Sequence, residues 1–309
     1  MRLMDGLRFA LGTLSVLPVR VERVDRQVAG QAMTLAPAVG LLLGLLAGAA
    51  LLLPAPPLLG AALALGLLAL LTRGLHLDGL ADLADGLGSG KPADQALDIM
   101  KKSDIGPFGV VTLVLTLLVQ VAALADAGVW ALVTACVAGR LALTWACRSG
   151  VPAARPDGLG AMVAGTVRRP AAWLTTVAAL LAAAVIGLLT APGAGLWAWD
   201  GNDEPARELP ARYICMAGSC PEPAEPGLRY DTGPDAFATA VAVSEEDASP
   251  PGRFSGVVVA PVALLAGLGA ALLLLGHARR RLGGITGDVL GALVETAAAA
   301  TLVVYAILG

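Results

Sequence analysis

The chain has 309 residues, of which 57% are hydrophobic and only 15% charged; its mean hydropathy is +0.76 and its formal net charge −3. That is too apolar for a soluble globular domain and reads as an integral membrane protein in the lipid bilayer. Aromatic residues make up only 4%. Leu, Ala, Val and Gly dominate instead, which favours closely packed transmembrane helices over a lipid-facing barrel of short alternating strands. No nucleic-acid partner is expected.

The first segment, MRLMDGLRFALGTLSVLPVR, has no long uninterrupted apolar core, and Asp5 and the arginines argue against a cleaved signal peptide. It is read as a short amphipathic helix lying on the membrane surface. Apolar runs long enough to cross about 30 Å of hydrocarbon then follow at roughly 36–53, 58–72, 107–126, 129–147, 171–192, 256–275 and 289–308. The expected fold is therefore an all-α polytopic integral membrane helical bundle with about seven transmembrane helices. Pro54, Pro56 and Pro57 between the first two runs suggest a tight hairpin. Cys136 and Cys147, in the fourth run, are expected to be small apolar core residues.

With seven spans, segments 1–35, 73–106, 148–170 and 276–288 share one side, and they hold 5, 4, 4 and 3 Lys or Arg. The other side receives the long segment 193–255, with Arg207, Arg212, Arg229 and Arg253. By the positive-inside rule the basic side is cytoplasmic and the C-terminus outside. The expected location is thus the cytoplasmic (cell) membrane, with any site on the basic loops facing the cytoplasm. Three regions are anticipated: a membrane domain over 1–192, an acidic extracytoplasmic insert over 193–255, and the last two membrane helices over 256–309. The insert carries eleven acidic residues and many Pro and Gly. Within it Cys215 and Cys220 either pair as a disulfide or stay as two surface thiols.

Each basic segment contains more than an anchor needs. In HLDGLADLADGLGSGK, residues 76–91, Asp78, Asp82 and Asp85 fall at i, i+4 and i+7, within an arc of about 60° on a helix. Three such carboxylates repel one another unless a cation joins them. Mg²⁺ takes oxygen ligands and commonly links a few carboxylates to substrate phosphates. A solvated acidic face is the plainer alternative. Against it stand the apolar opposite face, Leu77, Leu80, Leu83, Ala84 and Leu87, and the position at a membrane boundary. His76 reads equally as a supporting hydrogen-bond donor or as an interfacial histidine.

In IMKKSDIGPFG, residues 99–109, Lys101 and Lys102 offer charge to phosphates while Ser103 and Asp104 can cap the next helix. Residues 148–170 place Arg148, Arg155, Arg168 and Arg169 around Asp157, Gly158 and Gly160, a composition suited to phosphate or simply to a basic loop. In RRRLGGITGDVLGA, residues 279–292, Gly283, Gly284, Thr286, Gly287 and Asp288 open the last span, with Asp288 serving either as its cap or as a metal ligand. Arg140 and Glu295 are ionisable groups inside spans and are read either as functional or as a pair between helices.

Together HLDGLADLADGL, IMKKSDIGPFG, ARPDGLG and GGITGDVLGA, in this order, resemble the integral-membrane cobalamin synthases, the adenosylcobinamide-GDP ribazoletransferases. The likeness runs from about residue 7 to about 292. It implies a Mg²⁺-dependent enzyme in which α-ribazole, or its 5′-phosphate, attacks the phosphate of adenosylcobinamide-GDP and displaces GMP. The resemblance assigns Asp78, Asp82 and Asp85 to Mg²⁺ and to catalysis, with Asp85 as a candidate general base. The set expected to contact the corrinoid and nucleoside substrates is His76, Lys101, Lys102, Ser103, Asp104, Arg148, Arg155, Thr286 and Asp288. Lys102 stands where relatives carry an aspartate, which leaves the role of Asp104 open. The oligomeric state is also open, a homo-oligomer included. Two competing readings are a CDP-alcohol phosphotransferase of phospholipid synthesis, whose motif has arginine where Asp82 stands, and a transporter, whose charges belong nearer the bilayer midplane.

Overall fold

A computed structural model describes residues 2–189 and 256–309. The segment 193–255, with the Cys215 and Cys220 pairing, lies outside the described residues. Those described form helices α1 (Arg2–Leu14), α2 (Arg26–Gly48), α3 (Pro57–Leu71), α4 (Leu75–Gly88) and α5 (Ala93–Ile99). They continue as α6 (Pro107–Ala146), α7 (Gly158–Val163), α8 (Arg169–Leu189), α9 (Gly256–Leu282) and α10 (Gly287–Leu308). There is no strand among them, only two isolated parallel bridges.

Within the described residues all seven apolar runs are mostly helical, but they are distributed differently from seven equal spans. Among these residues five helices are long and apolar enough to cross a membrane. Among them α6 has 40 residues, about 60 Å of helix and twice the hydrocarbon thickness. It breaks at Gly128, whose φ of 75° is left-handed and whose ψ is extended. Gln120 and Arg140, which a continuous helix would hold about 30 Å apart, line one small cavity, so the chain reverses at Gly128. The two arms, 107–127 and 129–146, correspond to the third and fourth apolar runs. By contrast α3, with 15 residues, stops short of a full crossing. The left-handed Arg73 and Gly74 then swing α4 by 89° from the axis of α3, so α4 runs across the bundle end rather than continuing into it.

Small residues set the helix spacing. Gly40 and Gly44 of α2 lie against Cys136 and Val133 of α6 so closely that a side-chain carbon at either would meet α6 backbone. This is the small-residue packing that brings membrane helices together. Cys136 and Cys147 are buried free thiols within the core, as expected. The central helix is α10, which packs most extensively against α6, α9 and α4. Leu70, Leu118, Leu174, Leu181 and Leu273 stay exposed on the outer helix faces, where lipid would cover them. The N-terminal helix α1 buries Phe9, Ala10 and Leu14 and lies along α2.

The loops expected to share one side do meet at one end of the bundle. Arg26 bonds the carbonyls of Ala161 and Ala164, Arg73 that of Ser15, Arg155 that of Leu97 and Arg281 that of Lys91. Every candidate site residue of the sequence analysis belongs to this end except His76, whose side chain turns into the bundle.

Candidate active site

The site is built where α4 crosses the start of α10. A β-carbon on Gly79 would sit 2.9 Å from the Asp288 Cα, and one on Gly291 would sit 3.2 Å from the Gly79 Cα, so only glycines allow this approach. Close contact brings the outer face of α4 beside the first turn of α10. That turn is capped by Thr286, whose Oγ accepts from the Val289 N–H at 3.2 Å and donates to Asp288 at 3.2 Å. The cap is therefore Thr286, and Asp288 is released from that role to face the site.

A short parallel bridge fixes the third component. Ala154 N–H donates to Ile285 O and Ile285 N–H to Pro152 O, both at 3.0 Å, which ties loop 148–157 to the entry of α10. Arg155 is thereby carried next to Asp288, at 3.9 Å, while its other nitrogen holds the Leu97 carbonyl at the end of α5 at 2.5 Å. Its Nε is buried and unpaired.

Asp78 is exposed and Asp82 half-buried on α4, both within electrostatic range of Asp288. Burial, then the charges of Asp78, Asp288 and Asp85, push the Asp82 carboxyl up to about 7, with Arg155 pulling the other way. One guanidinium thus faces three carboxylates. The excess negative charge suits a hard cation and its oxygen chemistry. Yet no three His, Cys, Asp or Glu among the described residues stand close enough to hold one ion by themselves. An ion here would draw on one or two carboxylates and complete its shell with water or phosphate, the usual pattern for Mg²⁺.

Asp85 does not share this arrangement. It is buried, and its two oxygens accept the N–H groups of Gly106 and Gly109 at 2.7 and 2.9 Å. It caps α6 from outside, satisfying donors that Gly106 and Pro107 cannot cap themselves. The cap expected from Ser103 or Asp104 is not formed. Lys101, Lys102, Ser103 and Asp104 are all exposed along the rim, without side-chain hydrogen bonds.

Two other expected site residues lie elsewhere. His76 is buried and faces Arg140, away from Asp78. Arg148 stacks over Trp145 at 5.4 Å and bonds its carbonyl at 2.8 Å, beside Arg169 and Arg279. Burial and these two arginines depress its pKa, which marks a separate positive patch. The residue missed in the sequence is Gln120, which donates to Glu295 at 2.9 Å; its polarity inside an apolar run was the available signal.

These features define a membrane-embedded helical bundle with a cluster of carboxylates and one arginine at one end. The sequence pattern described as Cobalamin-5-phosphate synthase matches residues 6–201 and 233–306. A curated relative from Frankia casuarinae, called adenosylcobinamide-GDP ribazoletransferase, is 40% identical over 97% of this chain and 93% of its own length. Relatives of the same name from Nocardioides sp. and Corynebacterium efficiens are 44% and 34% identical over 60% and 71% of this chain, covering 82% and 86% of themselves. No solved structure matches. The chain belongs to the cobalamin-5-phosphate synthase family and is a transferase of cobalamin synthesis. The family match leaves out residues 202–232, inside the acidic segment.

Proposed function

We propose that the protein transfers the adenosylcobinamide phosphate moiety of adenosylcobinamide-GDP to α-ribazole or α-ribazole 5′-phosphate, releasing GMP. The observation that supports this most is the meeting of Asp78, Asp82 and Asp288 with a single arginine at an open end of the bundle. Such a site attracts a divalent cation and, through it, a diphosphate. Mg²⁺, when bound, neutralises charge on the diphosphate, and the carboxylates available to hold it are Asp78, Asp82 and Asp288.

In the transfer, the ribazole hydroxyl oxygen forms a bond to the cobinamide-side phosphorus as the bridging P–O bond to GMP breaks. The hydroxyl proton needs an acceptor, and a carboxylate near neutrality is best matched to that task. Asp82 fills the role better than Asp85, whose oxygens are both occupied by backbone N–H groups. Arg155, anchored by Leu97 and Asp288, supplies positive charge for phosphate oxygens beside the carboxylates. Phosphoryl transfer depends mainly on positioning and charge stabilisation, which these fixed groups supply. The surplus of Lys and Arg on the site-bearing loops supports the reading that this end faces the cytoplasm.

The test is to incubate membranes carrying the protein with adenosylcobinamide-GDP, α-ribazole and Mg²⁺, measuring GMP and cobalamin. Product that disappears with Asp82→Ala and with chelator supports the reading. Release of CMP from a CDP-alcohol, with no GMP, would assign the site to phospholipid synthesis instead.

A further inference from the structure

Beneath α4, on the side away from the carboxylates, His76, Gln120, Arg140 and Glu295 converge with Thr72 around a cavity of about 20 Å³. Five segments meet there: α3, α4, both arms of α6, and α10. Arg140 is 1% exposed and His76 3%. The Arg140 Nε and Nη2 and the His76 Nε2 have no hydrogen-bond partner, and Arg140 makes no ion pair within 4 Å among the described residues. Among the described residues Glu295 is bonded only by Gln120. Inside an apolar bundle, donors left in this state cost far more than the helix packing around them tolerates. A polar cavity of that size accommodates one water, which needs two to four polar partners.

We propose that this cavity binds an ordered water linking Arg140, His76 Nε2 and the Glu295 carboxylate, and that the linked cluster positions α4 for the reaction. His76 lies two residues before Asp78, and Glu295 two turns after Asp288, so the cluster joins the two helices whose carboxylates face each other above it. It fixes their register without touching substrate. Arg140 and Glu295 are then positioning residues, and the catalytic part of the proposal rests on the transferase reading given above.

The experiment is a mutant cycle on the full-length protein in lipid nanodiscs, using Arg140→Met, Glu295→Gln and the double variant. Each single change leaves one buried charge alone and is expected to lower Tm by about 10 °C or more. The double change removes both charges and restores most of that loss. For a positioning role kcat stays depressed at least tenfold in the double variant while KM for adenosylcobinamide-GDP is unchanged. Recovery of kcat together with Tm would reduce the cluster to a structural pair and overturn the positioning claim. A density map resolving ordered waters is expected to show a peak within bonding distance of Arg140 and His76. A direct Arg140–Glu295 contact with no such peak would overturn the water site. If the wild-type protein releases no GMP, the transferase reading fails, while the Tm cycle and the map still test the water-linked cluster.

Discussion

Two polar clusters touch opposite sides of α4. The outer one sets Asp78, Asp82 and Asp288 against Arg155 and is open to water; the inner one sets Glu295 and Gln120 against Arg140 and His76 and is sealed in apolar helix. Each contains a single arginine. In the outer cluster carboxylates outnumber it, so charge is left over for a ligand; in the inner cluster one carboxylate matches one guanidinium, so nothing is left over. The same residue types therefore leave charge available or matched according to their numbers and access, which residue identity alone does not reveal.

The sharpest way to break the comparison is to remove one charge from each side. Asp82→Ala is expected to lower kcat on the order of 10²-fold or more while leaving Tm at pH 7 unchanged or higher. Arg140→Met is expected to reverse the balance, with its first effect on Tm, because an unpaired buried carboxylate costs about 3–5 kcal/mol. Equal losses of stability in both variants would erase the distinction.

Asp85, expected at the catalytic site, has both oxygens engaged by the N–H groups of Gly106 and Gly109. Asp85→Ala strands two backbone N–H groups at the start of α6 and is expected to cost about 1–3 kcal/mol, read as a lowered unfolding temperature. Asp85→Asn, which keeps an acceptor, is expected to recover part of it.

Charge crowding at Asp82 gives a pH signature. Because its carboxyl is raised to about 7 in the folded protein, the fold binds this proton more tightly than the unfolded chain does. Stability from this group is present at low pH and is lost as pH rises from about 4 to above 7. Asp82→Asn is then expected to unfold at the same temperature as the parent below about pH 4 and at an increasingly higher one as pH rises to about 8 in chelator. Added Mg²⁺ is expected to raise the parent's unfolding temperature at pH 8 and not that of the variant. The smallest effect is expected at the rim: Lys101→Ala with Lys102→Ala should raise KM a fewfold, more at low salt than at high, with kcat unchanged.

Much of this is legible in the amino-acid sequence. Apolar runs near twenty residues mark helices because each backbone group in lipid must be satisfied within its own segment. Charge bias correctly grouped the loops that meet at the site end. Asp78, Asp82, Asp288 and Arg155 stood out as charge at a membrane boundary. What stayed hidden depends on rotation and distance. A helical wheel places Asp85 with its neighbours, but the two N–H groups that claim it belong to a helix about 20 residues further on. His76 is two residues from Asp78, and that offset of about 200° turns it to the other side of α4. Arg140 and Glu295 were visible as isolated charges, but their common cavity required the reversal at Gly128.

The layout of the last helices has a consequence for how the gene can be cut. Arg169 opens α8 and Arg279–Arg281 close α9 at the end that carries the site, so Leu189 and Gly256 belong to the opposite end. Among the described residues, every group placed at the site lies before residue 170 or after 278. A polypeptide cleaved or re-encoded as two pieces between those helices keeps each of these described contacts within or between the pieces. Co-expression of residues 1–189 with 256–309 is thus expected to reassemble an active enzyme.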